Sequence, residues 1–406
     1  MKTCFASAAF GIFCLLQLVS ASVAAEPLRL VQTIEAPEDA ERMGEAVAFT
    51  ARGALVSVHF DGHDLYRSGA VLFGLDLATS ELTALPQAEG QSSSHWAARR
   101  LHVDGDRTLV CEKVKDRVAT PWRSVMIRTT PPTGEILARF ELPEIDGYTL
   151  KRFGDACAMH GNTVAIGAQW IQSETRHRRG VVHLFEADTG ALRQTMESPP
   201  VQTPLTFSQA LAMNGRFLAI ASTGANARVG AMGEVTLYDR ATGQPLHVFR
   251  RPENGFEGRD GRFGARILIE GDRLIIASPS GAEKGHTGGT VWVFDLTTYA
   301  LEHRFQSPLD GKSADFGRAM ALHDGKLLIG QPTARVAGRA EAGMAFLFDL
   351  ETGALLQSLT APKSPLGAQF GRSLALGPQG ALIAAPTQRL GQWRAGALYH
   401  YRWNVN

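Results

Sequence analysis

The sequence predicts an all-β fold: a seven-bladed β-propeller of four-stranded antiparallel blades, with the last blade completed by the N-terminal strand. Three observations carry this. A hairpin-opening pair recurs at Met43-Gly44, His95-Trp96, Phe153-Gly154, Phe207-Ser208, Phe263-Gly264, Phe316-Gly317 and Phe370-Gly371, at spacings of 52, 58, 54, 56, 53 and 54 residues. A regular period of that length marks a solenoid, a propeller or an array. Inside each period, large and small residues alternate with the strand period of two, as in Arg318-Ala319-Met320-Ala321-Leu322. Finally, the seventh period lacks a fourth strand, and the start of the chain offers one.

Taken in order, residues 1–25 read as an export signal. Lys2 gives the positive start, an apolar run spans roughly Phe10 to Val19, and Ser22-Val23-Ala24-Ala25 supplies small residues for cleavage. No other stretch approaches the ~18 apolar residues of a membrane span. Gly11-Ile12-Phe13 before Cys14 does not resemble a lipoprotein box. Residues 26–406 form one domain, with repeats at about 38–86, 87–143, 144–199, 200–252, 253–308, 309–362 and 363–406 plus 26–37.

Each repeat carries the same four strands. The first follows the anchor pair and turns at His160-Gly161-Asn162, Asn214-Gly215 or Asp324-Gly325, residues that accept positive φ. The second ends in runs such as Ile276-Ala277-Ser278-Pro279. A variable loop leads to a third strand that opens on glycine, as at Gly180, Gly233 and Gly289. After turns such as Thr242-Gly243 the fourth strand stops at Pro199, Pro252, Pro308 or Pro362, since proline cannot donate to the ladder. Such a sheet cannot bury both faces alone, and radial stacking solves that. Gln32-Thr33-Ile34-Glu35-Ala36-Pro37 parallels the fourth strand Gln194-Thr195-Met196-Glu197-Ser198-Pro199. Residues 28–36 are therefore expected beside residues 397–403, clasping the ring.

The recurring residues resemble bacterial FG-GAP repeats, related to those of the integrin alpha-subunit propeller. Phe316-Gly317 with Ile329-Gly330-Gln331-Pro332 carries the resemblance. So do Phe263-Gly264 with Ala277-Ser278-Pro279, Phe370-Gly371 with Ala384-Ala385-Pro386, and Phe153-Gly154 with Ile166-Gly167-Ala168. The resemblance implies the propeller fold and leaves function open, because family members include adhesion modules and accessory domains of enzymes. It also directs attention to calcium loops of the Asp-x-Asp/Asn-x-Asp-Gly kind. This chain departs from them: Asp61-Gly62-His63-Asp64 lacks the alternating third carboxylate, and Arg259 interrupts the oxygens between Glu253 and Asp260.

Composition and motifs exclude more than they assign. Net charge is +1, which gives no field towards nucleic acid or membranes. The twelve histidines are scattered, and neither Cys111 nor Cys157 has a second ligand at metal spacing, so no metal or cofactor is expected. Whether the two cysteines pair stays open at this level. No Gly-x-Ser-x-Gly elbow is present.

Two constellations remain. The residue after each anchor forms a ring at the mouth of the central channel: Glu45, Ala97, Asp155, Gln209, Ala265, Arg318 and Arg372. Polar groups converging there suit a small polar ligand. Mutual pairing is the alternative, since Glu45 neighbours Arg372 around a closed ring. The second set sits in the loops between strands two and three. It includes Trp122 and Arg123; Arg176, His177, Arg178 and Arg179; and Trp393 and Arg394. Arginine suits carboxylate and sulfate groups, and tryptophan suits sugar faces. Acidic residues on the same face, among them Glu38, Asp39 and Asp310, partly cancel the set.

The expected protein is an exported monomer, periplasmic or extracellular. It is a non-catalytic binding or scaffold propeller that engages a protein or an acidic glycan through its long-loop face. The alternative is a channel-mouth lyase or hydrolase acting on a polysaccharide. A third reading, an assembly module, requires a contiguous apolar patch on the outer strands.

Overall fold

Seven inner hairpins organise the chain, and local chemistry builds each one. The computed structural model describes residues 27–60, 69–85, 100–111, 126–130, 135–140, 148–173, 178–197, 205–224, 233–252, 262–279, 288–309, 315–363, 365–390 and 393–404. In the sixth hairpin, β22 (Ala319–His323) turns through Asp324-Gly325 into β23 (Lys326–Gln331), with φ of 48° and 65° at the two turn residues. Positive φ at both central positions matches the turn twist to that of the strands.

Each hairpin extends into a four-stranded antiparallel sheet. The first holds β2 (Ala40–Thr50), β3 (Gly53–Phe60), β4 (Gly69–Leu75) and β5 (Leu82–Ala84). The second holds β6 (Arg100–Asp104), β7 (Arg107–Cys111), β8 (Met126–Thr130) and β9 (Glu135–Phe140). The third holds β10 (Tyr148–His160), β11 (Thr163–Ser173), β12 (Arg178–Glu186) and β13 (Leu192–Glu197). The fourth holds β14 (Leu205–Met213), β15 (Phe217–Gly224), β16 (Glu234–Asp239) and β17 (Pro245–Arg250). The fifth holds β18 (Arg266–Glu270), β19 (Arg273–Ser278), β20 (Thr290–Asp295) and β21 (Leu301–Gln306). The sixth adds β24 (Met344–Asp349) and β25 (Leu355–Leu359) to its hairpin.

The seventh sheet confirms the expected clasp. Its order is β1 (Leu28–Glu35), β30 (Ala397–Trp403), β27 (Gly380–Ala385) and β26 (Ser373–Gly377). β1 runs antiparallel to β30 from Leu28↔Trp403 to Glu35↔Ala397. Gln357 of the sixth sheet holds both backbone groups of Leu28, accepting its N–H at 2.9 Å and donating to its carbonyl at 2.8 Å. The first strands touch in sequence, β2 to β6, β10, β14, β18, β22 and β26, and β26 touches β2. The sheets thus follow one another around an axis lined by their first strands.

The anchor pairs explain the stacking. The phenylalanine packs on an aromatic of its own third strand: Phe153 on His183, Phe263 on Trp292, Phe316 on Phe346 and Phe370 on Tyr399, with ring centroids 6.0, 5.2, 5.9 and 5.3 Å apart. The glycine packs on the preceding sheet. A Cβ on Gly317 (φ 86°) would lie 3.0 Å from Ala277 Cβ, and one on Gly264 (φ 89°) 2.9 Å from Ala221 Cβ. The alanine of one blade's second strand therefore requires the glycine of the next blade's anchor. In the fourth sheet the roles are exchanged: the anchor carries Ser208 and its neighbour on the third sheet is Gly167.

The turns joining third and fourth strands use one carboxylate. Asp349 Oδ1 accepts from the backbone of Glu351 and Thr352 and from the Thr352 hydroxyl. Asp239 does the same with Thr242, and Asp295 with Thr297 and Thr298. These bonds to the charged form, first from the Thr352 backbone and then from its hydroxyl, with Lys326 adding to them, hold Asp349 down at about 2.

The core lies in the seams between sheets. At each seam the last part of the second strand and the middle of the first strand meet the next blade's first strand. Between the fourth and fifth sheets these residues are Ala221, Ala212 and Ile267. Between the fifth and sixth they are Ala277, Leu268 and Met320. Between the seventh and first they are Ala384, Ala375 and Val47. Between the second and third sheets the equivalent positions carry Cys111, His102 and Cys157. Cys111 and Cys157 form a disulfide there, Cα–Cα 6.4 Å, that crosses from one blade to the next.

Two expectations change. Arg178 and Arg179 are not at a loop tip. They open β12, paired with Gln172 and Ile171, because this hairpin continues beyond the usual length. In the second sheet, Arg100 stands opposite Cys111 as Arg266 stands opposite Ala277. Counting back from Arg100, Ala97-Ala98 aligns with Phe263-Gly264. The pair His95-Trp96 is two residues early, and both pairs lie outside the described residues.

Candidate functional site: an arginine cluster at the channel mouth

In the fifth, sixth and seventh blades a tight turn spanning the anchor pair carries the chain into the first strand, whereas β2, β10 and β14 run through their anchors. Arg318 N–H donates to Asp315 O at 3.0 Å, Arg372 N–H to Gln369 O at 3.1 Å, and Ala265 N–H to Arg262 O at 2.8 Å. This turn presents the ring residues to the axis. Exposure of the first strands differs around the axis: every residue of β6 and β22 is half-exposed, whereas most described residues of β2, β10 and β14 are buried.

Of the residues expected in the ring, Glu45, Arg318 and Arg372 interact with one another, and Asp155 and Gln209 fall at the irregularities in register that open the first strands of their own sheets. Glu45 lies between two guanidiniums, Arg42 Nη1 at 3.7 Å and Arg372 Nε at 4.0 Å. The second contact spans the closing seam, from the seventh blade to the first. Its length makes it an electrostatic pairing more than a hydrogen bond.

Two arginines escaped the sequence reading. Arg266 is one residue beyond the ring position of the fifth blade, where the other blades carry Ala46, Ala156, Ala210, Ala319 and Ser373, and Arg100 is its equivalent in the second. Arg266 is half-buried. It donates Nη1–H to its neighbour's carbonyl, Ala265 O, at 2.8 Å. Burial, and then the charges of Arg100, Arg318 and Arg372, push its guanidinium well below the ordinary value. Arg318 is shifted the same way, by burial first and then by Arg372, with Asp315 and Glu45 opposing. Guanidiniums do not deprotonate in proteins. The depression therefore marks cations held in one another's field inside a confined space, where an added anion gains most. The signal for Arg266 was legible as the one long cation in a column of small residues. Arg100 was hidden by the misplaced anchor.

The loop set is only partly visible. Trp122, Arg123, Arg176 and His177 lie outside the described residues, as do the loops 61–64 and 253–260 that were weighed for calcium. Trp393 and Arg394 form a short strand, β29 (Trp393–Arg394), paired with β28 (Arg389–Leu390) and touching β2. On the outer strands, Val31, Leu137, Leu192, Leu246, Leu301 and Leu355 are exposed, one on each of six sheets. Among the described residues that spacing does not supply the contiguous apolar patch an assembly module requires.

The class defined by fold and site is a seven-bladed propeller with a cationic channel mouth. No protein-family model matches the chain, and no curated protein shows significant similarity to it. No helix among the described residues is long and apolar enough to cross a membrane.

Proposed function

We propose that this protein is an exported, non-catalytic binding propeller that takes an acidic partner, an anionic glycan or an acidic protein segment, at the channel mouth on its long-loop face. The observation that carries the reading is a half-buried Arg266 in the field of Arg100, Arg318 and Arg372, with Arg318 in turn in the field of Arg372. Guanidiniums present planar, bidentate donors to carboxylate, sulfate or phosphate. Glu45, the carboxylate a lyase or hydrolase would draw on, serves here as counter-ion to Arg42 and Arg372.

A panel of sulfated, uronic and neutral oligosaccharides and acidic peptides, measured by calorimetry, tests this. Acidic ligands should bind and neutral ones should not, with affinity falling as salt rises. Arg266→Ala with Arg318→Ala should weaken binding at least about tenfold, one lost charge-assisted contact being worth roughly 1.5–3 kcal/mol. Equal binding by the double variant, or ligand turnover, would overturn the proposal.

A further inference from the structure

The second observation lies one layer deeper, at the seam between the second and third blades. His102, Cys111 and Cys157 bring an imidazole nitrogen and two sulfurs within 4.8 Å of one another. The pleat makes this possible. Arg100 and His102 point to one face of β6, and Cys111, opposite Arg100, shares that face. Cys157 faces them from β10. His102 Nε2 is buried without a hydrogen-bond partner.

The other seams show that the fold does not need these residues. Where the second blade has His102, the others have Ala48, Ala158, Ala212, Leu268, Ala321 and Ala375. Where it has Cys111, they have Ser57, Gly167, Ala221, Ala277, Gly330 and Ala384. Where the third blade has Cys157, its counterparts are Val47, Leu101, Leu211, Ile267, Met320 and Leu374. A cross-link alone would require the two cysteines and leave an alanine in place of His102. A half-buried imidazole whose Nε2 is buried and unpaired costs stability unless something uses it.

We propose that His102, Cys111 and Cys157 form a redox-gated site for one soft, thiophilic monovalent cation, of which Cu(I) is the type. The site is loaded when the cysteines are reduced and closed when they are joined. Opening consumes one external dithiol: its two thiols reduce the Cys111–Cys157 bond, leaving two protein thiols and an oxidised dithiol. Loading then forms two S–metal bonds and one N–metal bond, and releases two protons to solvent. Oxidation of the thiolates by an external disulfide reverses the sequence and expels the cation.

Ligand type and number select the metal. Two thiolates and one imidazole are soft donors. Three donors suit trigonal Cu(I), whereas structural zinc takes a fourth. Two thiolates with a monovalent cation leave one negative charge, and Arg100 stands beside it. The half-exposed first strand that carries His102 gives a route in from the channel.

The test is anaerobic titration of the chain with Cu(I) against a chromogenic Cu(I) chelator, with thiols counted in parallel. Protein reduced with a phosphine should retain one equivalent, and the oxidised protein none. His102→Ala should bind at least about tenfold more weakly, and Cys157→Ser should lose the site. The bound ion should also protect both thiols from alkylation. Three results would each overturn the proposal. One is a disulfide that the phosphine cannot reduce in the folded protein. Another is retention by the reduced protein no greater than by Cys111→Ser/Cys157→Ser. The last is affinity that is unchanged in His102→Ala or that favours Zn(II) over Cu(I).

Discussion

The seam between the second and third blades and the seam between the fourth and fifth share one backbone geometry and opposite chemistry. In the latter, Ala221, Ala212 and Ile267 fill the space with methyl and methylene groups alone. In the former, a disulfide spans the blades and an imidazole lies beside it. At other seams an anchor glycine and a small residue opposite hold the blades together with no cross-link and no imidazole, so neither is a condition of the fold. Residues that break a seven-fold pattern without being required by it are where function is to be sought. The same logic picks out Arg266 from a column of alanines.

The most direct way to break the comparison is to make the two seams alike. Cys111→Ala, Cys157→Ile and His102→Ala together give the second seam the side chains of the fourth. Without reductant this variant should be less stable than the parent, by up to about 4 kcal/mol from the chain-entropy estimate for a 46-residue separation. With reductant, its apparent Tm should equal or exceed that of the reduced parent. A parent whose melting is indifferent to reductant would show that the cross-link contributes nothing.

A second contrast concerns the aromatic that receives each anchor phenylalanine. Three blades use Trp292, Phe346 and Tyr399, and the third blade uses His183, fully buried with Nδ1 2.9 Å from the Thr195 hydroxyl. Burial lowers the His183 pKa to about 4, below its unfolded value near 6.5. Its neutral form therefore favours the folded state above about pH 6.5, and that contribution is lost as pH falls towards 4. His183→Phe should flatten the stability profile between pH 7 and pH 4 by up to about 3 kcal/mol. Parallel pH profiles for parent and variant would show that His183 does not titrate in this range.

The smallest expected effect sharpens the reading of the channel mouth. Arg266→Met removes one cation from a group that repels itself and keeps the stem that fills the space. Apparent Tm at low salt should rise by about 1–2 °C, with the gain shrinking as salt is added. A fall in Tm would mean that the Arg266 bond to Ala265 O outweighs the repulsion.

Much of this architecture is a local property of the sequence. The blade count follows from a period written into each anchor and turn. The strand order follows from period-two alternation punctuated by Asp-Gly, Thr-Gly and proline, and the clasp from the likeness between residues 32–37 and 194–199. These features act over a few residues, so they can be read one repeat at a time. The tertiary structure alone decided which side chains meet across a seam or around the channel. Cys111 and Cys157 are 46 residues apart, and Arg266 feels the charges of Arg100 and Arg372 only because the sheets follow one another around an axis. Such meetings depend on hairpin register, where a two-residue error in one anchor hid Arg100, and on contacts between blades that no single repeat encodes. Sequence fixed the form of the blade. Stacking the blades brought His102 to the cysteines and the arginines to one another.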